Sequence, residues 1–248
     1  MTTRLVLVHG TRVSGAAWRL PAYLEVLADF DIVTPDLPGH GARLGERFTT
    51  EAAVAVIAEA VEGGDPSDPV VLVGHSLGGY MAMAYAARHP TRLAGLVLIG
   101  ASAVPRGPGA AAYRAFASLI PRLGAQRLAR LSNRAMVRLT DAETARAVLD
   151  DGESYAATAD AWAAVMADGD PRLLRDITCP VLLVSGQWDQ LRVHARRFAA
   201  QCRDARVVVV PRATHLLPLS HPQVVAALLR DFAHEVGGGT DSGHSATT

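Results

Sequence analysis

Residues 70–80 read V-V-L-V-G-H-S-L-G-G-Y, and this stretch leaves the chain few choices. Val70, Val71, Leu72 and Val73 carry the β-branched bias of a buried strand. From Leu77 the run continues through Met81, Ala82, Met83, Ala84, Tyr85, Ala86 and Ala87, which suits a helix. A strand that turns straight into a helix holds its corner residue in a strained conformation. The residues two before and two after that corner must be small. Here they are Gly74 and Gly78, and the corner is Ser76. The predicted outcome is a serine hydroxyl raised at the C-terminal edge of a sheet. It lies at the N-terminus of a helix whose free N–H groups favour negative charge. A glycine-rich turn with an incidental serine would look the same, so the rest of the chain must decide.

Leu5–Val8 reads as a first strand ending in His9-Gly10-Thr11-Arg12, followed by a helix over 17–29 with Trp18, Tyr23, Leu24 and Leu27 at helical spacing. Ile32–Thr34 is a short strand running into Pro35-Asp36-Leu37-Pro38-Gly39-His40-Gly41, which is loop by composition. An amphipathic helix is expected over 50–62, and a strand over Leu96–Ile99 that ends at Gly100. The rhythm then breaks. Residues 103–176 hold helix-like segments and no convincing strand. It resumes with a strand at 181–184, a helix at 191–203, a strand at 207–210 and a last helix from about Pro222 to Val236. Alternation of this kind implies an α/β fold, with a mostly parallel sheet of about six strands covered on both faces. The expected organisation is a core of residues 1–102 and 177–236, a helical insertion at 103–176 and a disordered tail at 237–248.

Ligands of such sheets lie beyond the C-terminal strand ends, and four of those ends carry chemistry. They are His9-Gly10-Thr11, Ser76, Gly186-Gln187-Trp188-Asp189, and Pro211-Arg212-Ala213-Thr214-His215. A serine nucleophile needs a base for its proton, and the base needs an acid to fix its tautomer. Ser76, Asp189 and His215 occur in the order Ser, Asp, His, which suits this architecture. Among nine histidines, His215 alone sits on a loop after a strand and downstream of a strand-end acid. His9 is expected to brace the loop after it. His40, His89, His221, His234 and His244 fall in a loop, on helices or in the tail. Asp36 precedes the serine and is the weaker orienter. Acyl transfer also creates an oxyanion that needs two preorganised N–H donors. Leu77 N–H is one candidate, and Thr11 N–H from the loop after the first strand is the other, with Arg12 as the fallback. Trp18, Trp188 and His75 are candidates to flank a substrate, although the His75 side chain is expected on the opposite side of the turn from the serine hydroxyl.

Composition removes several alternatives. The formal net charge is zero, so there is no footprint for nucleic acid. All 24 cationic residues are arginine. Schiff-base chemistry, a Ser-Lys dyad and a P-loop lysine are therefore excluded. Cys179 and Cys202 show neither ligand spacing nor a disulfide framework, as suits a reducing compartment. The Leu5–Val8 run is too short for a signal peptide, and no apolar run approaches the roughly 20 residues of a membrane span. The expectation is a soluble cytoplasmic protein, a monomer or homodimer, without metal or cofactor.

Together these segments resemble the α/β-hydrolase family. The resemblance rests on His9-Gly10, Asp36-Leu37-Pro38-Gly39-His40-Gly41, Gly74-His75-Ser76-Leu77-Gly78-Gly79, Gly186-Gln187-Trp188-Asp189 and Thr214-His215, and it spans residues 4–236. It implies a cofactor-free serine hydrolase with a helical cap over the pocket. The chain begins almost at the His-Gly strand, without the two preceding antiparallel strands of larger relatives. In that it is similar to small esterases of the plant methylesterase kind. Relatives that act as hydroxynitrile lyases employ a cap lysine, absent here, and epoxide hydrolases and dehalogenases of this fold need an aspartate where Ser76 stands. The implied substrate is a small-molecule carboxylic ester or lactone. A thioesterase, carbon–carbon hydrolase or acyltransferase would share the triad, and a small-molecule receptor could retain the fold.

The insertion pairs a basic first half (Arg106, Arg114, Arg122, Arg127, Arg130, Arg134, Arg138 and Arg146) with an acidic second half (Asp150, Asp151, Glu153, Asp160, Asp168 and Asp170). The two halves are expected to be solvated helix faces that pair with each other, in preference to an anion-steering surface. Of its apolar residues, including Tyr113, Phe116, Met136, Tyr155, Trp162 and Met166, some must line the cleft.

Overall fold

The computed structural model describes residues 1–106, 115, 140, 144–145 and 157–238. Among these residues, six strands form one sheet: β1 (Arg4–Val8), β2 (Asp31–Val33), β3 (Val70–His75), β4 (Gly95–Ile99), β5 (Val181–Gly186) and β6 (Ala205–Val210). Their order is β2-β1-β3-β4-β5-β6, and every pairing is parallel. Chain order reverses around β1, so the ends of β1 and β3 flank the switch point where such sheets bind ligands. The seven α-helices of the described residues are α1 (Pro21–Val26), α2 (Thr50–Glu62), α3 (Leu77–Arg88), α4 (Thr158–Asp168), α5 (Ala195–Ala199), α6 (Leu217–Ser220) and α7 (Pro222–Gly237).

Strand pleating divides the core into two apolar layers. Val6, Val8, Leu72, Leu96, Leu98 and Leu183 face α2, α3 and α4. Leu5, Leu7, Val71, Val73, Val97 and Leu182 face Trp18, Tyr23 and the apolar side of α7. β3 is buried along its whole length, as a central strand of a doubly covered sheet must be. Leu77 to Ala86 of α3 are likewise buried without a break. A helix covered all round needs partners on both sides. The sheet supplies one, and α2 with α4 supplies the other. Ser76 is thus fixed to the most enclosed helix described.

Two predicted helices are broken. The helix expected over 17–29 is a 3-10 turn at Gly15–Trp18 followed by α1. Pro21 lacks an N–H and drives Leu20 to an extended conformation, so α1 restarts at the proline. The helix expected over 191–203 is a turn at Gln190–Arg192 and then α5. Tertiary hydrogen bonds interrupt it: His194 N–H donates to the Ser102 carbonyl (3.1 Å), and its Nδ1 accepts Val104 N–H (3.1 Å).

Of the 103–176 insertion, the described parts include the exit from β4, α4 and the 3-10 turn Pro171–Leu174. α4 docks onto α3, and the Thr50 hydroxyl donates to the Asp168 carboxylate across the α2–α4 contact. Arg106 pairs with Asp170 (3.4 Å) and Arg47 with Asp160 (3.6 Å). The other arginines of the basic half, the acids at 150, 151 and 153, and Tyr113, Phe116, Met136 and Tyr155 lie outside the described residues, as does the expected tail from residue 239. No helix of the described residues is long and apolar enough to cross a membrane.

Candidate active site

Ser76 sits at φ 51°, ψ −116°, between the last residue of β3 and the first of α3. This is the left-handed strain that the pattern predicts. The flanking glycines relieve it by proximity. A Cβ on Gly74 would collide with the Gly78 backbone, and one on Gly78 with the carbonyls of Val8 and His9. Ser76 N–H donates to Ile99 O (2.8 Å), which pins the corner to β4.

The three predicted residues converge. His215 Nε2 lies 3.0 Å from Ser76 Oγ, and His215 Nδ1 lies 3.0 Å from Asp189 Oδ1. With Nδ1–H donating to the carboxylate, Nε2 is left to accept the serine O–H. Asp189 is 3% exposed. Burial raises its pKa, but the hydrogen bond and charge of His215, with a 2.8 Å bond from Leu191 N–H, outweigh burial and hold the carboxyl below its ordinary value. Gly100, at the end of β4 with φ 57°, completes the arrangement. A Cβ there would stand 2.8 Å from Asp189 Oδ2 and 3.0 Å from His215 Cε1. The sequence displays this glycine at a strand end, but its role depends on loops nearly 90 and more residues downstream.

The two oxyanion candidates share a slot with the serine. Leu77 and Thr11 line a narrow slot with Ser76, Tyr80, Trp162 and Val165. Leu77 N–H belongs to the first turn of α3, whose N–H groups have no intrahelical acceptor. The loop carrying Thr11 turns sharply at Arg12 (φ 68°). His9 braces it as expected. His9 Nδ1–H donates to Gly10 O (2.7 Å), while Nε2 accepts Leu37 N–H (2.9 Å), tying the Asp36–Gly41 loop to this one. Asp36 is occupied elsewhere, accepting from Gly15 N–H (2.7 Å) and Ala42 N–H (2.9 Å).

The three candidates for flanking a substrate separate. Trp18 is buried at 1% exposure and lines a cavity of about 60 Å³ together with Ser76, His215, Val13 and Leu219. Trp188 turns the other way. It is 62% exposed and borders a surface groove with Arg192 and Val207. The turn buries Asp189 while its predecessor faces solvent, and Trp188 lines neither of the two cavities that include Ser76. His75 also departs from expectation. Its ring reaches across to His215, and its Nε2–H donates to the His215 carbonyl (3.0 Å). The two ring centroids are 5.1 Å apart. Burial, then the proximity of His215, pushes the His75 pKa down to about 3. The ring is therefore neutral near pH 7 and acts as a fixed donor to backbone. It lines the small cavity but is committed to the loop that carries His215.

Tyr80, Trp162 and Val165 line both the slot at Ser76 and a larger cavity of about 320 Å³. The role of Tyr80 has no signature in the sequence, because α3 reads as uniformly apolar. No group of three or more potential metal-ligating side chains is present among the described residues.

Comparison with known proteins agrees with this geometry. The family model described as "Alpha/beta hydrolase family" matches residues 5–228. A pimeloyl-[acyl-carrier protein] methyl ester esterase of Aromatoleum aromaticum is 34% identical, over 92% of this chain and 96% of its own. An esterase of the same name from Neisseria meningitidis is 30% identical over 94% of this chain and 77% of its own. Among solved structures, a thermophilic esterase from Thermogutta terrifontis superposes with a TM-score of 0.78 at 27% identity, covering 96% of this chain and 91% of that one.

Proposed function

The chain belongs to the alpha/beta hydrolase family, and from that premise we propose that it cleaves a carboxylic ester or lactone through an acyl-enzyme on Ser76. The observation that carries the reading is the continuous relay from Ser76 Oγ to His215 to Asp189, with 3.0 Å at each step, beginning at a serine held at positive φ. In acylation, Ser76 Oγ bonds to the carbonyl carbon while His215 Nε2 takes its proton. The developing oxyanion is met by the N–H groups of Leu77 and Thr11. The C–O bond to the alcohol breaks as His215 returns the proton to the leaving oxygen. Water then attacks the acyl-Ser76 ester, again through His215, and releases the acid. Asp189 stays ionised and stabilises the imidazolium that forms twice per cycle. Every group in the cycle is a side chain or backbone N–H of this chain, so no cofactor is invoked.

The segment around 103–176 acts as a cap in this proposal, with α4 supplying Trp162 and Val165 to the cleft. The free thiols of Cys179 and Cys202 support a cytoplasmic setting. The names of the esterase relatives support an ester over a carbon–carbon bond. The experiment is a panel of fatty-acid methyl esters, lactones and acyl thioesters, followed by pH-stat and thiol release. The proposal expects turnover of an ester or lactone that Ser76→Ala abolishes. Turnover confined to thioesters, or turnover retained in Ser76→Ala, would overturn it.

A further inference from the structure

A small cavity is lined by Ser76 itself, and a larger one shares Tyr80, Trp162 and Val165 with the narrow slot at Ser76; the two differ in size, lining and relation to His215. The smaller, about 60 Å³, is bounded by Val13, Ala17, Trp18 and Leu219 and includes His215. The larger, about 320 Å³, begins behind Tyr80, Trp162 and Val165 and extends along Val104, Met166 and Leu191. Neither it nor the slot at Ser76, which shares those three residues with it, is lined by His215. Chemistry then assigns the ends of an ester. The oxygen that needs a proton on bond cleavage belongs to the alcohol, so the alcohol must lie on the side of Ser76 that His215 lines. We infer that the small lobe holds the alcohol and the large lobe the acyl chain, so the substrate is an ester of a short alcohol with an extended apolar acyl group. This rests on the ester-hydrolase reading and sharpens it.

The volumes set the limits. About 10–15 Å³ of such space suffices for a water-sized group, so the small lobe takes a group of a few heavy atoms, such as methyl or ethyl. Trp162 and Val165, both on α4, form the divider that an acyl chain must pass. A methylene accepted or refused by an apolar pocket changes kcat/KM by about 10- to 200-fold.

The test is a matrix of methyl, ethyl and isopropyl esters of C4, C8 and C12 fatty acids, assayed by pH-stat. The wild type should prefer methyl over isopropyl by at least tenfold, and C8 over C4. Ala17→Leu should lower the ethyl-to-methyl ratio more than fivefold and leave the acyl-length ratio unchanged. Ala17→Val serves the same purpose should leucine prevent folding. Trp162→Ala should raise the C12-to-C4 ratio more than fivefold and leave the alcohol ratio unchanged. Exchange of these effects between the two variants would show that the ester binds in the reverse direction. Ratios that move in neither variant would show that the lobes do not hold the substrate. Both results overturn the inference while ester turnover by Ser76 stands. Absence of ester turnover in the wild type would instead refute the underlying reading.

A separate observation concerns Thr11. Its hydroxyl oxygen is buried without a hydrogen-bond partner among the described residues, and the residue lines both the slot and the small lobe beside Ser76. A buried hydroxyl left unpaired is costly. We propose that the Thr11 O–H is a third oxyanion donor, unpaired until the tetrahedral intermediate forms. Thr11→Val removes the donor at nearly constant shape. It should lower kcat by about 10²-fold with KM little changed, and Thr11→Ser should restore most of the loss. An unchanged kcat in Thr11→Val, or a Thr11→Ser variant as slow as the valine one, would refute this role. Equal thermal midpoints for the three proteins exclude a folding effect.

Discussion

The bond from His75 Nε2–H to the His215 carbonyl makes stability depend on pH in a way that can be worked out. In the folded chain the ring gains a proton only near pH 3, since burial and then His215 oppose its charge. In the unfolded chain it does so near its ordinary value of about 6.5. A depressed folded pKa means that protonation favours the unfolded state. The contribution is therefore complete above about pH 6.5 and is lost as pH falls toward 3. Each unit in that window costs about 1.4 kcal/mol. Between pH 7 and pH 5 the loss from this group is on the order of 2 kcal/mol. His75→Gln removes the titration and keeps an amide N–H at comparable reach. The measurement is urea unfolding of both proteins at pH 7 and pH 5. With a denaturant slope of about 2–3 kcal/mol per M, the midpoint of the wild type should fall by roughly 0.7–1 M more than that of the variant. His40, also buried with a lowered pKa, contributes the same background to both. Equal falls in the two proteins would mean that His75 is not the neutral buried donor described.

Other outcomes follow from the same geometry. Asp189→Asn keeps the shape but favours the wrong His215 tautomer, and kcat should fall by about 10⁴-fold; a loss under tenfold in steady-state assays would remove Asp189 from the relay. Gly100→Ala places a Cβ 2.8 Å from Asp189 Oδ2 at a positive φ, so chemical denaturation should show a loss of about 1–3 kcal/mol together with reduced kcat. Trp188→Ala should leave kcat/KM within twofold of the wild type, because the side chain borders an outer groove; a large change in KM would return it to the substrate path.

What the sequence made legible is what local chemistry determines. The corner at Ser76 is decided within five residues, by the sterics of Gly74 and Gly78. Asp189 and His215 could be read because each lies in the loop just after a strand, and strand ends of a parallel sheet gather on one edge. Side-chain direction was less accessible. Trp18 and Trp188 both adjoin site loops, yet one is buried against the cleft and the other faces solvent, a difference set by how each turn is aimed. His75 was expected opposite the serine hydroxyl, and only the loop bearing His215 explains its orientation. Gly100 is visible as a strand-end glycine, but the crowding that requires it comes from residues far along the chain. The helix expected over 17–29 breaks at Pro21, whose missing N–H and steric demand on Leu20 outweigh the apolar spacing.

The central claim is that Ser76 is an activated nucleophile, and covalent labelling tests it most directly. Folded wild-type protein treated with a fluorophosphonate should gain one phosphonyl group, located by peptide mass spectrometry to Ser76. Ser76→Ala should gain none, and His215→Ala should label far more slowly, because the triad acts as a unit. A folded wild type that remains unlabelled, or a label that persists in Ser76→Ala, would contradict the account.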